Sequence, residues 1–539
     1  MSSETQADAD ERFERFDVRA GDRPAGASFA SRSAALGRSG AAGTSHPLAT
    51  LTAIETLKRG GCAADAAIAA AACLGFLEPT GSGLGGDCYV LVWDPGSARL
   101  AGLAGSGRSP RSLKLDTVRA RAAGGVIPAC GAISVSTPGA LDAWWTLHRR
   151  HGVLEWKSLF DSAIHFCEAG VPVPQIIGYH FKRDLARTYA AIAAGGRDVF
   201  YDGPIARAID GYFKRIGGWL SREDLRDQRA EWVEPLVTSY RGVDVYAMGA
   251  ITQGLATLQM LNILEHFDLR AMGFQSPASL HVQAEAKRLA YADRARYYAD
   301  PQFSKVPVEW LVSKAYAAER AKLIGLDRVR RQVVAGEPPP AGDTTYLTVA
   351  DSGGMMVSMI QSNYRGMGSG LVADGLGFMF QNRGQMFSLE DGHANLYQPG
   401  KRPFHTIIPG FAAKDGRPWM SFGVMGGDMQ PQGQTQIVVN RVDFGLDVQA
   451  AGDSPRWHHV GSPQRMGEDE AGLSELGRLH LESGVPERSR RALADLGWLI
   501  GSSDGAFGRY QCIENRTSGG ERVYAAASEM RADGVALAY

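Results

Sequence analysis

The spacing of apolar and polar positions divides much of the chain into helices and strands. The segment from His46 to Arg59 has a helical apolar spacing and is closed by Gly60-Gly61, a C-cap signal, so it predicts a helix over 46–59. AADAAIAAAACLGFL (63–77) is apolar on nearly every face, which predicts a helix buried on all sides. It stops before Glu78-Pro79, and a glycine loop at 81–86 leads into a strand, CYVLVW. Helical patterns alternate with loops over 131–240, RGVDVYAM (241–248) reads as a strand, and SLHVQAEAKRLAYADRARYYAD (279–300) reads as a long amphipathic helix. Residues 325–343 are charged and then proline-rich, as in a linker. Beyond them come short strands and Gly-rich turns: YLTVAD and MMVSMIQ flank a DSGG turn, and SFGVM (421–425) runs into Gly426-Gly427. Helices mixed with strands, then a strand-dense final third, imply an α+β layered fold without internal repeats.

Composition narrows the classes. A length of 539 residues corresponds to about three to four domain equivalents. The 44% hydrophobic and 21% charged content is that of a globular enzyme, and the 66 glycines are spread among apolar segments as turn formers. A formal net charge of −1 implies neither a polyanion nor an anionic membrane as partner. The N-terminal stretch is charged, lacks an apolar core and reads as a loose arm over residues 1–28, not a secretory signal. Six scattered cysteines without a CxxC pattern read as reduced thiols of a cytoplasmic protein.

The chemistry concentrates where the linker ends, in GDTTYLTVADSGGMMVSMIQSNY (342–364). Thr344 and Thr345 can be read as ordinary strand formers. Alternatively, a break between Asp343 and Thr344 would turn Thr344 into an N-terminus. Its hydroxyl would be the nucleophile, and its α-amine, with a pKa near ~7.7–8.0, the base. Such chemistry needs donors for the developing oxyanion, each worth about 2.7–4 kcal/mol. Gly426-Gly427 could supply them, or could be a plain strand-ending turn.

Motifs along nearly the whole chain from about residue 30 resemble the γ-glutamyltranspeptidases, N-terminal-nucleophile (Ntn) hydrolases that cut themselves into two subunits. They include SHPLAT (45–50), GGCAADAAIAAA (60–71), SGLGGDCYVL (82–91), STPGALDAW (136–144), EAKRLAYADR (285–294), DTTYLTVAD (343–351), GKRPFHTIIPG (400–410), MGGDMQPQGQTQ (425–436) and SPRWHH (454–459). The resemblance implies a four-layer αββα sandwich, with a large subunit over 29–343 following the arm and a small subunit over 344–539. It makes Thr344 the nucleophile and Thr345 a structural neighbour. Ser362 falls where the family keeps a hydroxyl bonded to the nucleophile, and Gly426 and Gly427 fall on the oxyanion-hole glycines. Until cleavage the Thr344 nitrogen is an amide, so another group, such as Ser362 through water, must assist that step.

The acyl pocket departs from the family pattern. Where the family has an asparagine, a glutamine and an ammonium-binding aspartate, this chain has Tyr364, Arg383 and Met386; a serine pair becomes His405-Thr406. Losing the carboxylate removes the counter-ion of a substrate ammonium, and Arg383 would repel that ammonium. The implied acyl group is small, anionic and without an α-ammonium. Arg108, in GSGRSPRSL, is the first candidate for its carboxylate, with Arg383 and His405 next. The stretch from Phe387 to Lys401 is shorter than the family's lid, which favours water over an amine acceptor. These signatures look like the oxamate amidohydrolase branch, whose products are oxalate and ammonia. Two other readings stay open: a γ-glutamyl hydrolase or transpeptidase acting on glutathione-like amides, and an unprocessed member that only binds ligand.

Weaker signals are set aside. Gly81, Gly83 and Gly86 satisfy GxGxxG but precede a strand, which is the wrong context for a dinucleotide. His458-His459 lack an HExxH partner, and neighbours on a strand face opposite ways. No metal or organic cofactor is implied. The expected partners are a small anionic amide and the two subunits of one precursor, with a dimer of such heterodimers left open; neither nucleic acid nor membrane is expected.

Overall fold

A computed structural model of the protein describes residues 27, 29–122, 124–172, 184–331, 333, 343–461, 476–501, 507–518 and 521–539. Most of the arm over 1–28 and the proline-rich part of the linker (334–342) lie outside the described residues.

Two seven-stranded sheets face one another. The first runs in the order Ala35–Gly37, Glu521–Ser528, Tyr510–Ser518, Arg417–Val424, Gly410–Lys414, Val243–Ala247, Leu236–Tyr240. The second runs Val535–Ala538, Gly40–Thr44, Asp343–Asp351, Met356–Tyr364, Asp87–Asp94, Arg99–Gly105, Glu231–Val233. Strand alternation sorts the side chains into layers. Tyr346, Ala350, Met356 and Ile360 join Tyr89, Leu91, Phe411, Ile513, Tyr524 and Ala526 in a core between the sheets. Their neighbours Leu347, Val349, Val357 and Met359 turn the other way, onto the helices covering the second sheet. A separate core packs helices against the first sheet through Val245, Leu258, Leu261, Phe422, Ile437 and Val438. The layers are helix, sheet, sheet, helix: the αββα sandwich of the Ntn hydrolases, as the motifs implied.

The elements follow the patterning closely. The expected helix over 46–59 spans Pro47–Lys58, with the His46 side chain accepting from Leu48 N as its cap. The alanine-rich helix spans Ala63–Leu77 and is buried along its length except at Phe76. It packs directly on the strands Asp343–Asp351 and Met356–Tyr364. Alanine lets the helix approach the sheet closely, and this closeness brings Glu78, at its C-terminal end, to the start of the strand at residue 343. The long helix spans Pro277–Tyr297 but is not amphipathic as expected: every residue from Ser279 to Ala295 is buried, its charged side chains included, because other elements pack on all its faces. The paired strands close on Asp351 through its side-chain bonds to Gly354 N and Met355 N. No helix among the described residues is long and apolar enough to cross a membrane.

Candidate active site

The strand Asp343–Asp351 pairs with Met356–Tyr364 in regular antiparallel register from Thr345 onward, Thr345 facing Gln361. Between Asp343 and Thr345 the register shifts, so the backbone of Thr344 falls at a break in the ladder. Such irregularities end pairing and re-aim the chain. One residue on, the Thr345 hydroxyl donates to Glu78 Oε2 at 3.1 Å, which also accepts from the Ser45 hydroxyl at 2.6 Å. Glu78 is buried. Thr345 therefore anchors the start of the strand to the end of the alanine-rich helix.

Opposite Asp343 the partner strand ends in Ser362, Asn363 and Tyr364. Ser362 Oγ accepts from Tyr364 N at 2.8 Å, which supports a turn in which Tyr364 adopts φ = 81°. A non-glycine residue there is uncommon and stores strain. In the neighbouring strand Asp87 pairs with Ser362, and Gly86 is pressed so closely against the Ser362 carbonyl that an added Cβ would sit 2.5 Å from it. The glycine loop at 81–86 thus lets two strand ends converge.

Around this corner lies a buried polar cluster. Arg383, fully buried, donates from Nη1 to Thr406 Oγ1 at 3.0 Å, sets its Nε 3.5 Å from Asp87 Oδ2, and lies over the Tyr364 ring at 4.7 Å. Its Nη2 meets no hydrogen-bond partner among the described residues. Asp87 accepts from Gly107 N at 3.1 Å through Oδ1. Burial pushes the Asp87 carboxyl up to about 6, against the opposing pull of Arg383. Burial also pulls the Arg383 guanidinium down, with Asp87 countering. His405 is fully buried edge-on to Tyr89, with Nδ1 3.9 Å from Asp87 Oδ2 and neither ring nitrogen hydrogen-bonded among the described residues. Burial, then the charges of Arg383 and Arg402, hold it well below the usual histidine range, so it is a neutral imidazole. Met386, also buried, adds an apolar wall beside Tyr364.

The first sheet supplies the other side. Strand Arg417–Val424 ends in Met425, Gly426 and Gly427, and the helix Met429–Val442 follows. Both glycines have positive φ, 110° and 56°. Gly426 O accepts from Met429 N at 2.9 Å and Gly427 O from Gln253 Nε2 at 2.7 Å. In a trans peptide the N–H points opposite its C=O, so these bonds orient the N–H groups of Gly427 and Asp428 away from the helix and from Gln253. A strand turning on two glycines into a helix N-terminus suits a developing negative charge.

Tyr364, Arg383, His405 and Thr406 thus cluster round Asp87 and Ser362, and Gln253 joins Thr406 to Gly427. Arg108 stands beside this group in a different network: its guanidinium donates to Gly400 O at 3.1 Å and Gln302 Oε1 at 2.7 Å, 3.8 and 3.7 Å from Glu231 and Asp300. Arg402, bonded to Glu231 at 2.5 and 3.2 Å, belongs to the same network. Asp87 and Gln253 escaped the sequence reading. Asp87 carried a signal, a charge at the head of an apolar strand; Gln253 carried none. His458 lies 3.4 Å from Asp428 Oδ1 and His459 3.0 Å from Lys287 Nζ, each in a separate buried contact.

Residues 49–184 and 177–539 match the γ-glutamyltranspeptidase family model. The chain is 32% identical to the glutathione hydrolase-like YwrD proenzyme of Bacillus subtilis (strain 168), over 91% of this chain and 97% of that one. It is 31% identical to the oxamate amidohydrolase proenzyme of Klebsiella pneumoniae subsp. pneumoniae, over 76% and 83%. The crystal structure of cephalosporin acylase from Bacillus halodurans superposes with a TM-score of 0.87 and 37% identity, covering 97% of this chain and 99% of that one. The chain belongs to the γ-glutamyltranspeptidase family and is an enzyme of its Ntn-hydrolase kind.

Proposed function

We propose that the chain is a self-processing threonine amidohydrolase that hydrolyses the amide of a small anionic acyl group, with oxamate as the type substrate. The observation that carries this reading is Arg383: a fully buried guanidinium that bonds Thr406, lies over the Tyr364 ring and keeps an Nη2 with no hydrogen-bond partner among the described residues. Desolvated guanidinium N–H groups bind carboxylates strongly. The apolar Met386 offers no counter-ion to a substrate ammonium.

In this reading the Asp343–Thr344 bond is cut, giving a large subunit that ends at Asp343 and a small subunit over 344–539. The proenzyme names of the relatives and the break in strand register at Thr344 support it. The freed α-amine takes the proton of the Thr344 hydroxyl as its oxygen attacks the amide carbonyl. The N–H groups around Gly426 and Gly427 stabilise the oxyanion. The amine returns the proton to the leaving nitrogen and ammonia departs, leaving an ester that water resolves by the same route. Ser362 supports the turn facing the nucleophile. Arg383, with Thr406, holds the acyl carboxylate; Arg108, committed to Gly400, Gln302 and the neighbouring acids, borders the pocket. Six free cysteines fit the expected cytoplasmic setting.

Ammonia release from oxamate is compared with turnover of a chromogenic γ-glutamyl anilide. The proposal requires oxamate to have the higher kcat/KM; faster turnover of the anilide overturns it in favour of a γ-glutamyl enzyme.

A further inference from the structure

Gln253 is buried at the N-terminal end of the helix Gly254–Leu264; its backbone N–H donates to His405 O at 3.1 Å, and its side chain makes three hydrogen bonds among the described residues. Its Nε2 donates to Thr406 O at 2.6 Å and to Gly427 O at 2.7 Å. Its Oε1 accepts from Arg294 Nη1 at 2.7 Å, which fixes the amide orientation. Both carbonyls belong to peptides adjoining functional groups. Holding Gly427 O sets the plane of the peptide after Gly427, and so ψ of that glycine. Holding Thr406 O sets the backbone that carries the Thr406 hydroxyl to Arg383.

We infer that Gln253 is a positioning residue: it locks the oxyanion glycines at a fixed distance from the arginine that anchors the acyl group. This rests on the site reading above but not on the identity of the acyl group. The same strap acts in both reactions at this site, because self-cleavage and turnover each need an oriented donor for a developing oxyanion. Removing it should leave the fold standing. Ile408, two residues beyond Thr406, is tied separately to the following helix through Gln430 Oε1 at 3.0 Å and Gln434 Nε2 at 2.8 Å.

Gln253→Leu removes both donors, and the isosteric Gln253→Glu places a carboxylate against two carbonyl oxygens. Three readouts on the full chain are compared with wild type: the rate of self-cleavage on a gel, kcat and KM for oxamate, and amide hydrogen exchange in the peptide containing 425–430. The expected result is self-cleavage and kcat each slowed at least tenfold, KM within threefold, and faster exchange confined to that peptide. A folded variant that cleaves, turns over and exchanges at wild-type rates overturns the inference. So does a rise in KM alone, or failure of both variants to fold, which would assign Gln253 to the core. If wild type ignores oxamate, the substrate assignment fails while self-cleavage and exchange still decide the role of Gln253. If wild type does not cleave itself either, exchange alone decides it.

Discussion

Arg383→Gln is the most instructive perturbation of the acyl pocket. In the proposed function the guanidinium offers Nη2, unpartnered among the described residues, to a substrate carboxylate while its Nε faces Asp87. A hydrogen bond to a charged group contributes about 1.5–3 kcal/mol. At about 1.36 kcal/mol per tenfold, kcat/KM for oxamate should fall roughly 10- to 150-fold. Pyruvamide has the same size with a methyl in place of one carboxylate oxygen, so it carries no charge, and its turnover should change less than threefold. The variant also strands Asp87, and breaking a buried pair typically costs about 3–5 kcal/mol. Because the Asp87 carboxyl already sits at about 6, protonation relieves part of that cost. Asp87→Asn/Arg383→Gln should therefore regain melting temperature without regaining oxamate activity. Ammonia release by the three proteins on both amides reads this out. Unchanged oxamate turnover in Arg383→Gln, or equal losses on the two amides, refutes the assignment of Arg383.

Three further outcomes follow from the same geometry. Protonated Asp87 leaves the charge of Arg383 uncompensated, whereas ionised Asp87 repels an incoming carboxylate; neutral His405 adds no charge, and Arg402 is held by Glu231. KM for oxamate should therefore rise with pH above about 6, stay flat for pyruvamide, and lose its pH dependence in Asp87→Asn; KM measured from pH 5 to 8 checks the sign. In Gly426→Ala the new Cβ would lie 3.2 Å from Gly508 Cα at φ = 110°, a strained conformation costing about 1–3 kcal/mol. Losing the oriented donor should lower kcat by roughly 10²- to 10³-fold, measured by single-turnover acylation. Tyr364→Asn/Met386→Asp relieves the positive φ, opens the pocket and supplies an ammonium counter-ion. Its kcat/KM on a γ-glutamyl anilide relative to oxamate should increase at least tenfold, and no change would mean that neither residue sets specificity.

The fold was legible where local pattern and tertiary demand agree. The alanine run 63–77 could only be a helix enclosed on every side, and the alternating strands after residue 343 could only be two-faced. Motif order marked the candidate nucleophile, glycine pair and pocket positions, and the structure gathers Tyr364, Arg383, His405 and Thr406 near one another. The partners of charged side chains were not legible, because topology decides them. Arg108, the first candidate for the carboxylate, stands near Glu231 and Asp300, which arrive from distant elements. Arg383, second choice by alignment, meets Asp87 across nearly 300 residues of chain through the pairing of Asp87 with Ser362. Gln253 resembles any polar residue before a helix, and its function resides in two backbone carbonyls that no side-chain pattern reveals.

The proposed chemistry requires Thr344 to become an N-terminus. Intact-mass and N-terminal analysis of purified wild type and Thr344→Ala tests it most directly. Wild type should yield two polypeptides, the smaller covering residues 344–539 and beginning at Thr344, while Thr344→Ala stays a single chain without amidase activity. A wild type that hydrolyses amides with the Asp343–Thr344 bond intact, or a Thr344→Ala protein that still does, would contradict it.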